Sequence, residues 1–491
     1  MEVKETMDIS KVREDYEAVI GLEVHAQMLT KSKAYSNDIN EYGSRPNTNI
    51  SAISLGHPGT LPRMNKKTIE YAIKLGLALN CEIAEYQHFA RKNYFYPDLP
   101  KGYQITQDKT PICTNGHIDL KMKDGVKHIG ITRIHMEEDS GKSIHDVDVY
   151  DSLVDLNRAG TPLLEIVTEP DMCSGDEAYA YLTEIRQLVR YLEICDGNME
   201  EGSLRCDANV SVRKKGASEF GTKVEVKNMN SIRNVQRAIN FEIDRQIEMV
   251  EKGEEIAQET RSFDAVNMRT ISMRTKEAAN DYRYFPEPDL QPLHVSKEQV
   301  NAVKTDMPVL PNALYEKYTK ELNLSDYDAS NLIASKPMAL YFEELIKHTS
   351  NYKGAANWMS GEVRSYLNQQ GKTIEEFPIQ PERLAALIAI IDEGLVSNSV
   401  ASQKIFPVML EDNNKAPKAI AEEGNLIQDT DEDSIVSVIE EVIKQHPGEV
   451  ERYKGGEKQL VGFFMGQVMK ASGGKADPKA ANKLIRQKLE E

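Results

Sequence analysis

Two polar residues near the amino terminus alternate with apolar ones and could bind a cation. They are Glu23 and His25, which lie within the alternating segment Glu17 to Met28. Residues two apart in a strand point to the same face, roughly 6.6 Å apart, so both side chains could contact one metal ion or one substrate group. A solvated strand face would give the same pattern. The segment therefore predicts a strand with one core face and one polar face.

A longer alternation without error covers residues 204–213, and a shorter one follows over residues 222–227. If the two segments pair as a hairpin, their polar side chains lie side by side on one face. Such a face suits a magnesium-bound nucleotide, because carboxylates hold the metal while cations neutralise phosphate oxygens. An exposed sheet with surface ion pairs is the alternative. These side chains, which we call the polar platform, are Arg205, Asp207, Asn209, Glu225 and Lys227.

The segment HMEEDSGKS, residues 135–143, ends in letters similar to a phosphate-binding P-loop. That motif requires a glycine where Met136 stands, and three acidic residues precede Gly141. The acids would repel a phosphate unless a metal ion intervened. We therefore interpret Glu137, Glu138 and Asp139 as candidate metal ligands at the end of a strand and Lys142 as a candidate phosphate contact, with an acidic surface turn as the alternative.

The segment RKNYFYPDLPKGYQITQ, residues 91–107, combines aromatic rings with cations around two prolines. Neither a helical nor a strand period fits it, so we predict a loop. Rings beside cations can stack on a base and hold its phosphates, although buried rings that fix a loop would look the same. The candidate nucleotide-binding residues here are Lys92, Tyr94, Tyr96 and Lys101.

Several catalytic motifs are absent from the sequence. It contains no G-x-G-x-x-G, G-x-S-x-G or H-E-x-x-H string and no cysteine set with zinc spacing. Dinucleotide redox chemistry and covalent nucleophilic catalysis are therefore poorly supported. The carboxylates and cations favour metal-assisted phosphoryl transfer, in which the protein mainly positions groups and neutralises charge.

The composition limits how the protein could meet nucleic acid. Its 491 residues include 60 Lys and Arg against 78 Asp and Glu, a formal net charge of −18. A phosphate-rich partner would therefore have to bind where cationic side chains are concentrated locally. The five cysteines form no C-x-x-C pair, the first residues contain no apolar signal segment, and no apolar run approaches ~18 residues. These features predict a cytoplasmic protein without membrane contact.

A sheet must position these residues, and the sequence predicts one in its first part. Alternating segments are separated by glycine-containing turns and interrupted by two long helices, which begin at Ser174 and near Ser231. Few strand–helix–strand repeats occur, which favours a largely antiparallel α+β domain. Helical spacing dominates afterwards. We predict a catalytic domain over residues 1–300, a helical domain over 301–420 and a helical tail over 421–491.

Long strings of this sequence resemble one known family, the B subunits of the tRNA-dependent aspartyl/glutamyl amidotransferases. The match is collinear over nearly the whole chain, and several long motifs in one order do not arise together by chance. The strings are VIGLEVHAQM, RKNYFYPDLPKGYQITQ, HMEEDSGKS, DLNRAGTPLLEIVTEPD, EEGSLRCDANVSVR, VEVKNMNS, DYRYFPEPDL and, similar to the family's tail domain, VGFFMGQVMKASGGKADPKAANKLI.

The resemblance implies a cradle domain related to the glutamine synthetase and guanido kinase fold, followed by all-α middle and tail domains. It implies a carbon–nitrogen ligase that uses ATP and Mg²⁺ to phosphorylate the side-chain carboxylate of Glu on tRNA(Gln) or Asp on tRNA(Asn). Ammonia then displaces the phosphate. A glutaminase, the family's A subunit, would supply the ammonia, and a small C subunit would brace the pair; no DNA or membrane partner is expected.

The resemblance also implies roles for individual residues. The implied metal ligands are Glu23, His25, Glu137 and Glu138. The implied catalytic residues are Glu138, Glu201, Arg205, Asp207 and Lys227. The implied nucleotide contacts are Arg205, Asn209, Glu225, Lys227, Lys92, Tyr94, Tyr96 and Lys101.

The sequence departs from the family pattern just after the first strand. Many members carry a cysteine zinc knuckle there, whereas residues 34–59 contain no cysteine. We therefore predict no zinc and a loop shaped by the turn residues Asn47, Asn49, Pro58 and Gly59.

Two other functions remain open from the sequence. The first is an ATP- and magnesium-dependent kinase or ligase of the same fold acting on a small carboxylic acid, which would have no evident need for the helical second half. The second is a non-enzymatic RNA-binding adaptor, which the acid-rich strands oppose. The end of the chain is basic, since residues 453–491 contain seven Lys and one Arg against three Glu and one Asp. We expect this tail to contact the tRNA, with a solvated lysine-rich helix as the alternative.

Overall fold

The protein separates into two compact units, Met1–Leu310 and Pro311–Glu491. The structure is a computed structural model that describes residues 9–145, 147–275, 282–428, 432–472, 476 and 478–490. All strands in the described ranges belong to the first unit, and helices make up the second. The mixed α+β first part and the helical second part are therefore confirmed. The three-domain division and the relation to a particular fold family stay predictions.

The first unit contains sixteen strands in its described residues, and nine of them form one large sheet. Its strands are β1 (Tyr16–Gln27), β2 (Glu82–Ile83), β3 (Tyr86–Gln87), β4 (Ala90–Asn93), β5 (Tyr103–Thr106), β6 (Cys113–Met122), β7 (Gly125–Glu138), β8 (Lys142–Ile144), β9 (Leu153–Asp155), β10 (Pro162–Thr168), β11 (Leu204–Lys214), β12 (Val224–Lys227), β13 (Glu259–Asp264), β14 (Arg269–Thr275), β15 (Arg283–Pro286) and β16 (Leu293–His294). Nine strands form the large sheet in the order β14-β13-β12-β11-β1-β10-β7-β6-β2. Every neighbouring pair is antiparallel except β12 and β13.

The alternation in the sequence explains the central strands. β1 lies between β11 and β10, and its residues Ile20, Leu22 and Val24 are buried on one face. β11 and β12 pair antiparallel with Asn209 opposite Glu225, as the predicted hairpin requires. The parallel neighbour β13 is not predictable from alternation, because the chain reaches it only after a long helix.

Helices cover the apolar face of the sheet. Those of the first unit are α1 (Ile9–Val12), α2 (Lys66–Ala78), α3 (Gly175–Tyr191), α4 (Ile232–Glu251) and α5 (Lys297–Thr305), with a 3₁₀ turn at Arg13–Asp15. The predicted starts of α3 and α4 are confirmed, since Ser174 accepts the amide of Glu177 and Ser231 that of Asn234. Each fully buried aliphatic side chain of these helices, such as Ile185, contributes about 1.5–3 kcal/mol.

A close contact fixes α3 against α4. Gly175 begins α3, and a Cβ atom there would lie 2.7 Å from Nδ2 of Asn240 in α4. Because both helices pack on the apolar face, the opposite face of the central strands is left for polar side chains.

The segment predicted as a loop over residues 91–107 is largely a hairpin. β4 and β5 pair antiparallel, and β15 adds to the other side of β4. Only residues 94–102 form the connecting loop. The proline-rich segment after residue 283 begins as strand β15, beside Arg91 and Lys92.

The second unit consists of helices in its described residues. They are α6 (Pro311–Glu316), α7 (Asp326–Leu332), α8 (Lys336–Leu345), α9 (Tyr352–Trp358), α10 (Arg364–Gln370), α11 (Pro381–Asp392), α12 (Asn398–Val400), α13 (Phe406–Glu411), α14 (Pro417–Glu423), α15 (Glu432–Gln445), α16 (Pro447–Lys454), α17 (Val461–Ala471) and α18 (Pro478–Glu490), with π-helical turns at Lys317–Glu321, Met359–Val363 and Ala401–Ile405 and 3₁₀ turns at Ile374–Glu376 and Lys458–Leu460. The last four helices share a core that includes Ile439, Phe464 and Ile485. Among the described residues, no helix is long and apolar enough to cross a bilayer.

Candidate active site

A row of polar side chains crosses four neighbouring strands of the sheet. On β1, His25 lies opposite Arg205 of β11 on one side and opposite Glu165 of β10 on the other. Glu165 in turn lies opposite His135 of β7. Glu137, two residues beyond His135, points to the same face because strand residues alternate. Strands far apart in sequence therefore bring these groups together.

Three of these residues form a buried group that we call the His–Glu–Glu cluster: His25, Glu137 and Glu165. Nε2 of His25 lies 3.3 Å from Oε2 of Glu165 and 3.6 Å from Oε1 of Glu137. One ligand atom of each residue lies within 4.8 Å of the other two. The carboxylates are only 3% and 10% exposed. His135 lies beside the cluster, with its Nε2 3.2 Å from the same Glu165 oxygen.

The two carboxylates of the cluster and its histidine shift one another's pKa values. Burial lowers the pKa of His25, but the charge and hydrogen bond of Glu165 and the charge of Glu137 outweigh it and raise that pKa to about 9. Burial raises the pKa of Glu165, yet the charges of His135 and His25 hold it well below its ordinary value. Oε2 of Glu137 is buried and accepts no hydrogen bond from the described part of the chain.

This donor set fits a divalent cation. Two carboxylates supply hard oxygen ligands and one imidazole supplies a nitrogen, all from rigid strands. A buried carboxylate oxygen without a donor costs at least about 1–3 kcal/mol, and a cation bound to Oε2 of Glu137 would remove that cost. The same cation would displace the proton that the carboxylates draw to His25.

Cations and aromatic rings line the space beside the cluster. A cavity of about 190 Å³ is bordered by Glu23, Lys92, Glu165 and Tyr284. Burial lowers the pKa of Lys92, but the charges of Glu137, Tyr284 and Glu165 raise it above its ordinary value. Lys92 is therefore a charged group facing the carboxylates.

The structure places Glu23 at this cavity but outside the three-residue cluster. Its Oε1 accepts a hydrogen bond of 2.9 Å from Nδ2 of Asn209. The role of Glu23 as a metal ligand stays a prediction.

The polar platform lies on the same face, toward the other side of β1. Nζ of Lys227 lies 2.6 Å from Oδ2 of Asp207 and 3.1 Å from Oε1 of Glu225. Burial lowers the pKa of Lys227, but the charges of both carboxylates raise it above its ordinary value. Glu225 also accepts a hydrogen bond of 2.8 Å from Oγ1 of Thr260. The structure thus brings the predicted platform residues together.

Arg205 connects the platform to the acidic end of β7. Its Nη2 lies 2.8 Å from Oδ2 of Asp139, which also accepts a hydrogen bond of 2.8 Å from Nε2 of Gln27. Burial raises the pKa of Asp139, but Arg205 and Arg158 bring it below its ordinary value. Asp139 therefore orients Arg205, and its role as a metal ligand stays a prediction.

The structure separates Glu138 from the His–Glu–Glu cluster, although the sequence suggests that Glu137 and Glu138 share one metal. Adjacent strand residues point to opposite faces, so Glu138 lies in another cavity, which we call the Glu138 pocket. It forms an ion pair with Lys101 and accepts a hydrogen bond of 2.9 Å from the amide of Ile105. This pocket of about 180 Å³ is also bordered by Lys33.

The remaining predicted site residues are not among those that line these two cavities. Tyr94 is half-buried, and its ring centroid is 5.6 Å from that of Tyr282. Tyr96 is exposed in the same loop. Glu201 is exposed in the turn before β11 and contacts neither the cluster nor the platform through a described hydrogen bond. The catalytic role of Glu201 stays a prediction.

Comparison with known proteins gives the family. The GatB/GatE catalytic domain matches residues 18–301, and the GatB domain matches residues 340–489. A Persephonella marina protein, named as the B subunit of an aspartyl/glutamyl-tRNA(Asn/Gln) amidotransferase, is 51% identical over 97% of this chain and 100% of its own length. A protein of the same name from Geobacter sulfurreducens is 53% identical over 97% of this chain and 99% of its own length. The chain belongs to the family of amidotransferase B subunits.

Family membership confirms the resemblance drawn from the sequence strings, but reasoning from individual residues missed two members of the site. Glu165 and His135 are absent from the predicted residues. A signal for Glu165 was available, because it is the only charged residue in the apolar strand PLLEIVT. A charge inside an otherwise buried strand indicates either a partner or a function.

The loop over residues 34–59, which contains no cysteine, is organised by hydrogen bonds. Oδ2 of Asp38 accepts hydrogen bonds from the amide and Oγ of Ser51, both 3.0 Å, and from Oγ of Ser54. Asn47 and Gly59 adopt positive φ angles of 60° and 86°. The predicted turn residues therefore do shape this loop, and the absence of zinc stays a prediction.

Proposed function

We propose that this chain is the tRNA-dependent component of an amidotransferase that converts Glu on tRNA(Gln), or Asp on tRNA(Asn), into the corresponding amide. The observation that carries the proposal is the His–Glu–Glu cluster beside the polar platform, within a chain of this family. The relatives are named as aspartyl/glutamyl-tRNA(Asn/Gln) amidotransferases, which supports both aminoacyl groups equally.

The residues around the cluster have separate tasks in this reaction. His25, Glu137 and Glu165 would hold Mg²⁺, which when bound neutralises phosphate oxygens of ATP. Arg205 and Lys227 lie across β1 from the cluster, where they can contact the transferred phosphoryl group. They are fixed by Asp139 and Asp207, so little reorganisation is needed during the reaction.

The chemistry couples two steps. The γ-phosphoryl group passes from ATP to the side-chain carboxylate, which gives an acyl phosphate and ADP. Ammonia then attacks the acyl carbon, phosphate leaves with the C–O bond pair, and a proton from the nitrogen is released. Lys92 faces the carboxylates of the site and can stabilise the negative charge that develops on the acyl oxygen.

The ammonia source lies outside this chain in the proposal. The sequence contains no recognisable amidase nucleophile, so a glutaminase, the A subunit of such an assembly, would hydrolyse glutamine while a small C subunit braces the pair. The assembly would act in the cytoplasm, with the tail, residues 421–491, contacting the tRNA body. The exposed lysines of the tail, such as Lys483, are available for that contact.

The test is amide formation by the complex of this chain with its partner subunits. Misacylated Glu-tRNA(Gln) or Asp-tRNA(Asn), ATP, Mg²⁺ and either ammonium or glutamine are supplied, and the released amino acid is identified. We expect amide with both nitrogen sources for the complex, and with ammonium only for this chain alone. Glu165→Gln should lose at least about 100-fold in rate, since it removes a predicted metal ligand. Glu219→Gln, in an exposed turn, is the matched control and should retain the wild-type rate.

Amide formation from free glutamate, without tRNA, would instead favour a ligase acting on a small acid. Amide formation that is unaffected by Glu165→Gln would contradict the role of the cluster.

A further inference from the structure

A cleft of about 600 Å³ lies between the turn before β11 and the start of α4. Three arginines line it: Arg186 and Arg190 from α3, and Arg233 from the first turn of α4. All three side chains are exposed, and none of them has an ion pair or hydrogen bond in the described part of the chain. We call this group the arginine cleft. In a chain of net charge −18, three arginines without acidic partners are a local exception.

The loop beneath the cleft holds two of these side chains in place. Gly197 has a φ of 69°, and a Cβ atom there would lie 2.9 Å from Cγ of Arg186 and 3.2 Å from Cδ of Arg190. The glycine therefore lets the loop pack directly against both aliphatic stems. Because the stems are ordered before binding, less conformational entropy is lost when the guanidinium groups bind an anion.

Two acids border the cleft, but one of them is already engaged. Asp196 accepts hydrogen bonds from the amide of Asn198, at 2.8 Å, and from the hydroxyl of Ser203 within its own loop. Glu200 is exposed at the rim. Three arginines against two carboxylates leave the cleft positive, and Glu200, which is exposed at the rim, opposes the binding of an anion.

The cleft is next to the polar platform along the chain. Asn230 lines it and follows Lys227, the last residue of β12, by three positions. Three residues span at most ~11 Å, so the backbone at Asn230, on one side of the cleft, lies within the length of about three stacked nucleotides (~3.4 Å each) of the backbone at Lys227. Tyr179, at the rim of the cleft, is 39% exposed and offers a ring on which a base can stack.

We propose that the arginine cleft binds backbone phosphates of the single-stranded 3′ end of the aminoacyl-tRNA, a few nucleotides before the aminoacylated residue that reaches the polar platform. This inference rests on the proposed function. Guanidinium groups match phosphate oxygens in a forked geometry, and the exposed ring beside them favours a nucleic acid over an acidic protein segment.

The test compares tRNA binding by the complex carrying wild-type chain or the triple variant Arg186→Gln, Arg190→Gln, Arg233→Gln. Affinity is measured by fluorescence anisotropy at several salt concentrations. We expect at least tenfold weaker binding and a slope of log affinity against log salt that is lower by about 2, since each single-stranded phosphate contact contributes about 0.7. The KM for aminoacyl-tRNA should rise while kcat at saturation is retained, because none of the three residues touches the platform.

Two further variants control this result. Arg237→Gln removes an exposed arginine one turn further along α4, outside the cleft, and should change affinity less than twofold. Glu200→Gln should tighten binding, which a general loss of structure cannot do. If the triple variant fails to fold, the opposite shifts of Arg186→Gln and Glu200→Gln decide the question.

Unchanged affinity, slope and KM in these variants would overturn the inference. Loss of a partner protein from the triple variant, with tRNA affinity unchanged in what remains, would overturn it in favour of an acidic protein segment. Failure of the wild-type complex to form any amide would instead count against the proposed function, so the two failures are distinguishable.

Discussion

Glu137 and Glu138 are neighbours at the end of β7, yet their carboxylates differ in how fully the protein satisfies them. Glu138 is paired with Lys101 and accepts the amide of Ile105, so its charge is balanced by the protein. Glu137 shares its surroundings with a second carboxylate, and its Oε2 is buried without a donor among the described residues. The difference shows where this fold leaves room for a foreign cation: on the His–Glu–Glu side of the sheet, and not in the Glu138 pocket.

The largest expected effect concerns Glu137, on the side of the His–Glu–Glu cluster. Glu137→Gln should lower the affinity for Mg²⁺ or Mn²⁺ by about 100-fold or more, because it removes a charged ligand oxygen. The metal-free protein should lose little stability, since Oε2 of Glu137 accepts no hydrogen bond among the described residues and Nε2 of His25 lies 3.6 Å from its other oxygen. Calorimetric titration with Mn²⁺ measures the affinity, and urea unfolding measures the stability. Wild-type Mn²⁺ affinity in this variant would contradict the cluster as a metal site.

The matched change in the Glu138 pocket should lower the stability of the protein and leave its metal affinity unchanged. Glu138→Gln leaves Lys101 beside an uncharged group, and breaking a buried ion pair costs about 3–5 kcal/mol of unfolding free energy. Metal affinity should not change. The double variant Glu138→Gln, Lys101→Met should recover much of the lost stability, because neither charge is then buried alone. If Glu138→Gln weakens Mn²⁺ binding as strongly as Glu137→Gln, the two faces are not independent.

Metal addition should separate the two variants further. A ligand present at 100 times its dissociation constant stabilises the folded state by about 2.7 kcal/mol. Mg²⁺ should therefore raise the unfolding free energy of wild-type protein and of Glu138→Gln by that amount. Glu137→Gln should gain almost nothing at the same concentration. Equal gains in all three proteins would mean that the metal binds elsewhere.

Local patterns predict the strands on which this comparison depends. The alternation of Glu23 and His25 predicts β1, the run around Asp207 predicts β11, and the cap residue Ser174 predicts the start of α3. Alternation also implies that Glu137 and Glu138 point to opposite faces of the sheet. A run of consecutive acidic residues suggests instead, wrongly, that they act at one place. These features are local, because they depend on the period of a strand and on helix capping.

The order of the strands is not local. Glu165 joins His25 only because β10 pairs with β1, from which it is separated by most of the first unit's loops. Its strand is buried on both faces and shows no alternation, so nothing in the string PLLEIVT specifies which neighbour receives the carboxylate. The pairing of β4 with β15 is also non-local, so the sequence pattern does not predict it. This pairing places Lys92 in a strand and not in the predicted loop.

A smaller effect is expected from Lys33, a second lysine of the Glu138 pocket. Its side chain is fully buried, and its Nζ donates a hydrogen bond of 2.7 Å to the carbonyl of Asn49. Burial lowers its pKa to about 8, even though Asp38 and Glu138 favour the charged form. The carboxylate of Glu138 is already paired with Lys101. It therefore does not fully offset the cost of burying the charge of Lys33.

This depressed pKa gives a prediction with a definite sign. An unfolded chain holds the Lys33 proton up to about pH 10.4, whereas the folded protein releases it near 8, so folding is opposed most below pH 8 and the opposition disappears as the pH rises toward 10.4. Lys33→Met should therefore stabilise the protein by about 1–2 kcal/mol at pH 7, after the loss of one hydrogen bond, and this advantage should shrink between pH 8 and 10.4. Urea unfolding across that range measures it, with the exposed Lys31→Met as control, whose effect should be small at every pH. A stabilisation by Lys33→Met that does not change with pH would mean that the pocket stabilises the charged form of Lys33. The difference between the two faces of β7 would then lie in their geometry and not in their charge.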